Sequence, residues 1–373
     1  MKQEIKEKLK QINDLYPDER LEKSKARWRA IWAGEKPPGR YPYLFTPVSF
    51  SYYDDIFSKE TALSAYLDEF IYRGFVDDDF IPAFFPGCRQ GAIPSMFGAK
   101  EVVIRKDYTN ERILFSPDDI DNLPEPSIRP GTSPYEYLEM QKYFLEECEG
   151  EIPVHVCDMQ GPMDVSGQLW GYDNLYLCAY EDEKRFRKLL ETAADAFCIL
   201  WDAQKELLGG HFIGTHLYGW DWVPENNGAT LSADSMVMMS PCFFEEHYSS
   251  HIEKIAARYG GLAVHSCGDF SAVVKQLCEI PGVKAVNASQ MTVEQLLEAG
   301  WDPEKVIILQ EKIEKAPEVL KLAKEKYLRL DTAFLGLWPC DVNGVLIHPS
   351  AWSTEHKNQI ANKAEWVNEA AQN

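Results

Sequence analysis

Apolar and polar positions recur with two different periods along this chain. Near the start, Ile5, Leu9, Ile12 and Leu15, then Leu21, Trp28 and Ile31, follow helical spacing, interrupted at Pro17. Pro37-Pro38-Gly39 ends that region. Residues 40–130 carry many aromatics and prolines with short apolar runs, such as Tyr43-Leu44-Phe45 and the run from Phe80 to Phe85. This pattern predicts a helical and irregular N-terminal cap over residues 1–130. It would pack on a main unit over 131–373, in one structural domain overall. From about residue 150, short apolar runs alternate with helical stretches. Strands are predicted at 152–157, 212–217, 262–267, 283–287, 306–309 and 328–337. Helices are predicted at 174–208, 241–259, 271–279, 292–299, 316–326 and 355–370, with Ser240 and Thr292 as N-caps. Strands alternating with helices imply βα units around a parallel sheet. No GxGxxG follows the first strand, so a dinucleotide-binding fold has no support. An α/β fold of the (β/α)8 TIM-barrel type fits the rhythm, and there the strand C-terminal ends carry function.

One strand end stands out. In Gly261-Leu262-Ala263-Val264-His265-Ser266-Cys267-Gly268-Asp269, an apolar run delivers a histidine and a cysteine two positions apart. Residues i and i+2 of a strand share a face, so His265 and Cys267 converge on one point. That is two-thirds of a zinc site with an open fourth position. Cys340, after the last predicted strand, is the candidate third ligand. A histidine and two thiolates would bind a substrate thiol and lower its pKa, leaving a thiolate nucleophilic toward a methyl group. The plain alternative is that His265 hydrogen-bonds inside the fold and Cys267 fills core volume.

Other residues are candidates for the pocket. Asp158 and Gln160 end the strand predicted at 152–157. Tyr218, Trp220 and Trp222 surround Asp221 after the next one, and could wall an aryl ring, a methylammonium or a corrin face. Asp221 is a candidate acid/base or fourth zinc ligand, Gln310 ends a later strand, and Trp338 stands beside Cys340 to shield a metal. His216 reads as a core histidine or a functional one, and Asp234 as a cap for a helix starting at Ser235.

Charge and cysteine usage narrow the partners. With 59 acidic and 38 basic residues, the net charge of −21 repels phosphate backbones and anionic membranes, so neither nucleic acid nor a membrane is an expected partner. It also opposes a polyanionic substrate unless a local arginine cluster intervenes. The nine cysteines form no CxxC pair and read as free thiols of a reducing compartment. The charged start of the chain lacks a signal-peptide core and no apolar run spans a bilayer, so a cytoplasmic location is expected.

The stretch Gly260-Gly261-Leu262-Ala263-Val264-His265-Ser266-Cys267-Gly268 resembles the His-x-Cys-Gly segment of the uroporphyrinogen decarboxylase superfamily, in its cobamide (corrinoid)-dependent methyltransferase branch. Gly161-Pro162-Met163 is similar to that family's Gly-Pro-Phe turn. Leu231-Ser232-Ala233-Asp234 through Ser240-Pro241 is similar to the stretch opening the helix before the His-x-Cys strand. Residues Arg29 to Pro42 look like the family's N-terminal entry. The resemblance implies a (β/α)8 barrel, with zinc on His265, Cys267 and Cys340. It implies a partner protein carrying the corrinoid, and a small thiol acceptor or methylated donor as substrate. Relatives often show Gly-Asn where Gln310-Glu311 stands, which implies a different pocket. A decarboxylase of this superfamily would carry an N-terminal arginine motif, of which only Gly39-Arg40-Tyr41 is present. A metal-free decarboxylase and a non-catalytic partner of a corrinoid protein are the competing readings. An exposed aromatic cap would suit a homodimer.

Overall fold

The computed structural model describes residues 2–46, 58–87, 91–104, 107–215, 221–342, 347 and 349–372. The predicted break at Pro17 is present, because proline has no N–H to continue a helix. Helices Gln3–Leu15 and Asp18–Ala33 lie on either side of it. Among the described residues, ten strands follow in chain order: β1 (Leu44–Phe45), β2 (Glu101–Ile104), β3 (Asp107–Asn110), β4 (Val154–His155), β5 (Phe212–Ile213), β6 (Ala229–Ser232), β7 (Leu262–Ser266), β8 (Val283–Ala288), β9 (Val306–Lys312) and β10 (Leu330–Leu335). Six of them form one parallel sheet in the order β1-β10-β9-β8-β7-β6. β4 and β5 form a separate parallel pair, and β2 and β3 an antiparallel one. Single bridges join Phe84 to Val154 and Gln160 to Ser232. Among the described residues the ladder does not run continuously around a closed barrel; the architecture is an α/β fold on a parallel sheet.

The N-terminal segment is not only a cover. It contributes β1, which pairs with β10, and Trp32, which packs with Val223, Ala263, Ala285, Val306 and Ile308. The two faces of the sheet divide the sequence by parity. Leu262, Val264, Val286 and Ile307 point outward into the main core, with Val165, Leu200 and Ile252 from the covering helices. Each such buried aliphatic side chain contributes roughly 1.5–3 kcal/mol. The other face carries a row fixed by register: Ser232, His265, Asn287, Ile308 and Asp331 are neighbours across β6 to β10. Placing β6 beside β7 needs glycine at both starts. A Cβ on Gly228 would meet the Gly261 carbonyl oxygen at 1.9 Å, and Gly228 has φ +96°.

Two predicted helices are each broken in two. The stretch 174–208 becomes Tyr172–Glu181 and Glu183–Leu208, because the Asp182 side chain caps the second by accepting from Arg185 N–H. The stretch 241–259 becomes Pro241–His247 and Ser249–Tyr259, and Ser240 accepts from Phe243 N–H as predicted. Thr292 makes a capping box with Gln295 ahead of Val293–Glu298. No helix among the described residues is long and apolar enough to cross a membrane.

Candidate functional site

His265 and Cys267 meet at the end of β7 as their spacing implies. His265 Nε2 lies 3.4 Å from Cys267 Sγ. Asp234, on the turn after β6, brings its Oδ1 to 3.5 Å from the same nitrogen. These three donors lie within 4.8 Å of one another. The turn is held in place by a direct bond: the Cys267 backbone N–H donates to Asp234 Oδ1 at 2.7 Å. Beneath it, Asp164 accepts from both the Ser235 backbone N–H and its hydroxyl, each at 2.9 Å. Gly268 (φ +74°) ends the strand and packs under Val237, where a Cβ would meet that side chain at 2.9 Å; its N–H donates to Gln290 Oε1.

The other ring nitrogen sets the histidine's tautomer. His265 Nδ1 faces Asn287 Oδ1 at 2.5 Å. Asn287 is oriented because its amide nitrogen donates to the Ile308 carbonyl at 3.1 Å, which turns its oxygen to the ring. Nδ1 is therefore the protonated nitrogen, and Nε2 presents a lone pair to the cluster. Cys267 is exposed as a residue, but its sulfur lies against His265 Nε2 and the Ser289 hydroxyl. Burial there, and then the neighbouring Asp234 carboxylate, push its thiol up to about 11. The Asp158 charge adds to the rise. Burial and the charge of Asp234 likewise raise Asp164 to about 7.

The expected pocket residues are distributed unevenly. Asp158 and Gln160 are buried near the cluster: Ser232, His265's neighbour across the sheet, donates its hydroxyl to Asp158 at 3.0 Å, and Gln160 donates to it at 3.2 Å. Gln310 shares the inward parity of Ile308 on β9. Asp221 is buried and accepts from the Thr215 hydroxyl at 2.8 Å; it does not belong to the three-donor cluster. Trp338 is packed in an apolar cluster with Phe334 and Ile360, stacked on Trp352 at 5.7 Å, and donates its indole N–H to the Thr46 carbonyl. Cys340 is exposed, its sulfur 3.7 Å from the Trp338 carbonyl, and it does not fall within the cluster. Tyr218, Trp220 and His216 lie outside the described residues. Asp234 and Asn287 were not singled out by sequence as site residues.

Arginines do gather in the N-terminal region, but they are spent on internal pairs. Arg27 and Arg40 both bond Asp79, Arg20 and Arg73 flank Asp78 at 3.7 and 3.8 Å, and Arg73 also pairs Glu69. Asp78 and Asp79 are buried, so this hub is a neutralised structural element rather than a cradle for carboxylates.

No protein-family model matches the chain, and no curated protein matches it in sequence. Among solved structures the chain is similar to a methyltransferase from Methanosarcina mazei, with a TM-score of 0.63 at 15% identity, over 92% of this chain and 99% of that one. The likeness covers nearly all of both molecules and shows a shared fold. An endo-1,4-beta-mannanase from Rhizomucor miehei aligns over 62% of this chain and 76% of that one at 11% identity, with a TM-score of 0.32, too slight to bear on the argument.

Proposed function

We propose that this protein is a zinc-dependent, corrinoid-linked methyltransferase with a (β/α)8 barrel of the uroporphyrinogen decarboxylase superfamily. The observation that carries the reading is the convergence of His265 Nε2, Cys267 Sγ and Asp234 Oδ1 at a strand end, with Nδ1 tied back to Asn287. A nitrogen, sulfur and oxygen donor set of this kind suits zinc. The fold shared with a methyltransferase over nearly the full chain supports the reaction class.

In this reading His265, Cys267 and Asp234 hold the metal, with Cys340 the further thiolate implied by the family resemblance. Bound zinc supplies Lewis acidity that lowers a coordinated thiol's pKa or polarises a methyl-bearing heteroatom. The chain's own residues prepare the site. Asn287 keeps the Nε2 lone pair available, and Asp234 is locked by the Cys267 N–H and by the Asp164–Ser235 clamp. Asp158, Gln160 and Ser232 form a polar wall beside the donors. The methyl group passes between the substrate and a corrinoid carried by a partner protein, in the cytoplasm. The neutralised arginine hub speaks against decarboxylation of a polycarboxylate.

The test joins metal analysis to turnover. Purified protein should hold a single zinc per chain, lost in Cys267→Ser together with methyl transfer to or from a methylated corrinoid. A metal-free preparation with full methyl-transfer activity overturns the zinc assignment. A zinc-loaded protein that moves no methyl group with any thiol, ether or amine tried overturns the methyltransferase assignment.

A further inference from the structure

The end of the sheet opposite the His265 cluster holds a basic cavity. Leu328 and Arg329 lead into β10 and Tyr41 leads toward β1, whereas His265 and Cys267 close β7. These strands belong to one parallel sheet, so the two places lie at its two ends. The cavity measures about 360 Å³, and its walls include Lys36, Arg40, Lys324, Arg329, Glu35 and Tyr327. Four cations facing one acid stand apart from a chain whose net charge is −21.

Three helices end here, Asp18–Ala33, Ala316–Glu325 and Thr354–Gln372, and helix C-termini attract cations. They do not use up the basic groups. The Gly34 and Glu35 N–H groups both donate to the Ala30 carbonyl, and the Leu328 N–H and the Tyr41 hydroxyl donate to that of Ala323. Lys324 is spent on a helix end, donating to the Ala370 carbonyl at 2.7 Å. Arg40 gives Nη1 to Asp79 and to the Tyr41 carbonyl. Its Nη2 is buried without a hydrogen bond, and the Asp77 carboxylate stands 4.0 Å from it. Arg329 rests its guanidinium against Gly34, where a Cβ would collide with it. Among the described residues, no carboxylate pairs with Arg329 or Lys36.

A half-buried guanidinium and a buried N–H that lack acceptors favour an anion. Lys36, Lys324 and Arg329 set against Glu35 leave two positive charges in excess, matching the roughly −1.5 to −2 of a phosphate monoester. The cavity lies within the range of small-molecule sites, roughly 300–1,000 Å³, and exceeds a phosphate ion alone. Tyr327 offers a surface to the remainder of such a molecule. It follows Ala316–Glu325 at φ +55°, where helices usually place glycine, and is 87% exposed beside the cavity.

We propose that this cavity binds the phosphate group of a small phosphorylated molecule. The site is independent of the His265 cluster and does not rest on methyl transfer.

Calorimetric titration of the full chain with inorganic phosphate, phenyl phosphate and benzoate, at constant ionic strength, tests this. Saturable binding of phenyl phosphate, weakened about tenfold in Lys36→Gln and in Arg329→Gln, supports the site. Arg329→Lys keeps the charge and should retain part of the affinity. Lys36 is exposed, so its variant reads the site without disturbing the fold. Phenyl phosphate binding more tightly than inorganic phosphate assigns an ester; equal affinity assigns the free ion. Benzoate binding as tightly as phenyl phosphate overturns the choice of phosphate. No binding of either phosphate overturns the proposal. So does binding that is unchanged in Lys36→Gln and Arg329→Gln but lost in Cys267→Ser, which would place the anion at the metal cluster instead.

Discussion

Asn287 Oδ1 lies 2.5 Å from His265 Nδ1, while the Asn287 amide nitrogen is held by the Ile308 carbonyl. This pairing fixes both the ring's orientation and its tautomer. Asn287→Ala should cost about 10–100-fold in zinc affinity, as expected for the loss of a partner behind a metal-binding histidine. Asn287→Asp keeps an acceptor at the same place and should restore binding. Competition with a chromophoric chelator measures both.

Cys267 and Asp234 are coupled through charge. Burial, then the Asp234 carboxylate, hold the thiol up near 11, so removing that negative charge stabilises the thiolate. In metal-free protein, Asp234→Asn should move the midpoint of the pH-dependent alkylation rate of Cys267 downward. Iodoacetamide labelling followed by peptide mass spectrometry reads it. An unchanged midpoint would remove Asp234 as a neighbour of the sulfur.

The third metal donor can be assigned by comparing two variants. Asp234 belongs to the cluster and Cys340 stands outside it. Asp234→Ala should therefore lower zinc content more than Cys340→Ser does, measured by elemental analysis after dialysis. The reverse order would return the position to Cys340.

Asp164 ties a pH-dependent cost to the same turn. Its carboxyl is raised from 3.8 to about 7 in the folded protein, through burial and then the charge of Asp234. Between these values the folded state keeps a proton that the unfolded chain has released. Stability therefore falls as pH rises from about 4 to about 7. Asp164→Asn can still accept from the Ser235 N–H and lacks this loss. Its stability relative to wild type should grow across that window by on the order of a few kcal/mol and then level off. Urea unfolding at a series of pH values measures the difference.

The sequence was most legible where side-chain parity alone decides direction. The i, i+2 spacing put His265 and Cys267 on one side of a strand, and the structure keeps them there. Pro17, Ser240 and Thr292 marked helix ends because each acts through its own backbone or its own hydroxyl. The breaks at Asp182 and Tyr248 were hidden inside otherwise helical patterns. Asn287 stood in an apolar strand, where the clue was a polar residue sharing the parity of Ala285. Asp234 was read as a local cap, since its bond to the Cys267 N–H spans two strands and leaves no trace in sequence spacing. Trp338 was set beside the metal because it precedes Cys340, yet adjacency in a loop says nothing about direction, and the ring stacks on Trp352 instead. The arginine hub was missed because Arg20, Arg27, Arg40 and Arg73 are brought together by the fold rather than by a motif.

The pairing of Leu44–Phe45 with Ala333–Phe334 bears on how the protein is made. β1 is synthesised before strands β2 to β9, and its hydrogen-bonding partner β10 after them. Until β10 is complete, the groups that will form this ladder must remain in water or be covered by something else, the condition under which strand edges find wrong partners. A chain released after β9 would carry the His265 and Cys267 strand intact but leave β1 unmatched. The site's ligands and the integrity of the sheet are thus secured at different moments, and the later one depends on β10, which is made after His265 and Cys267.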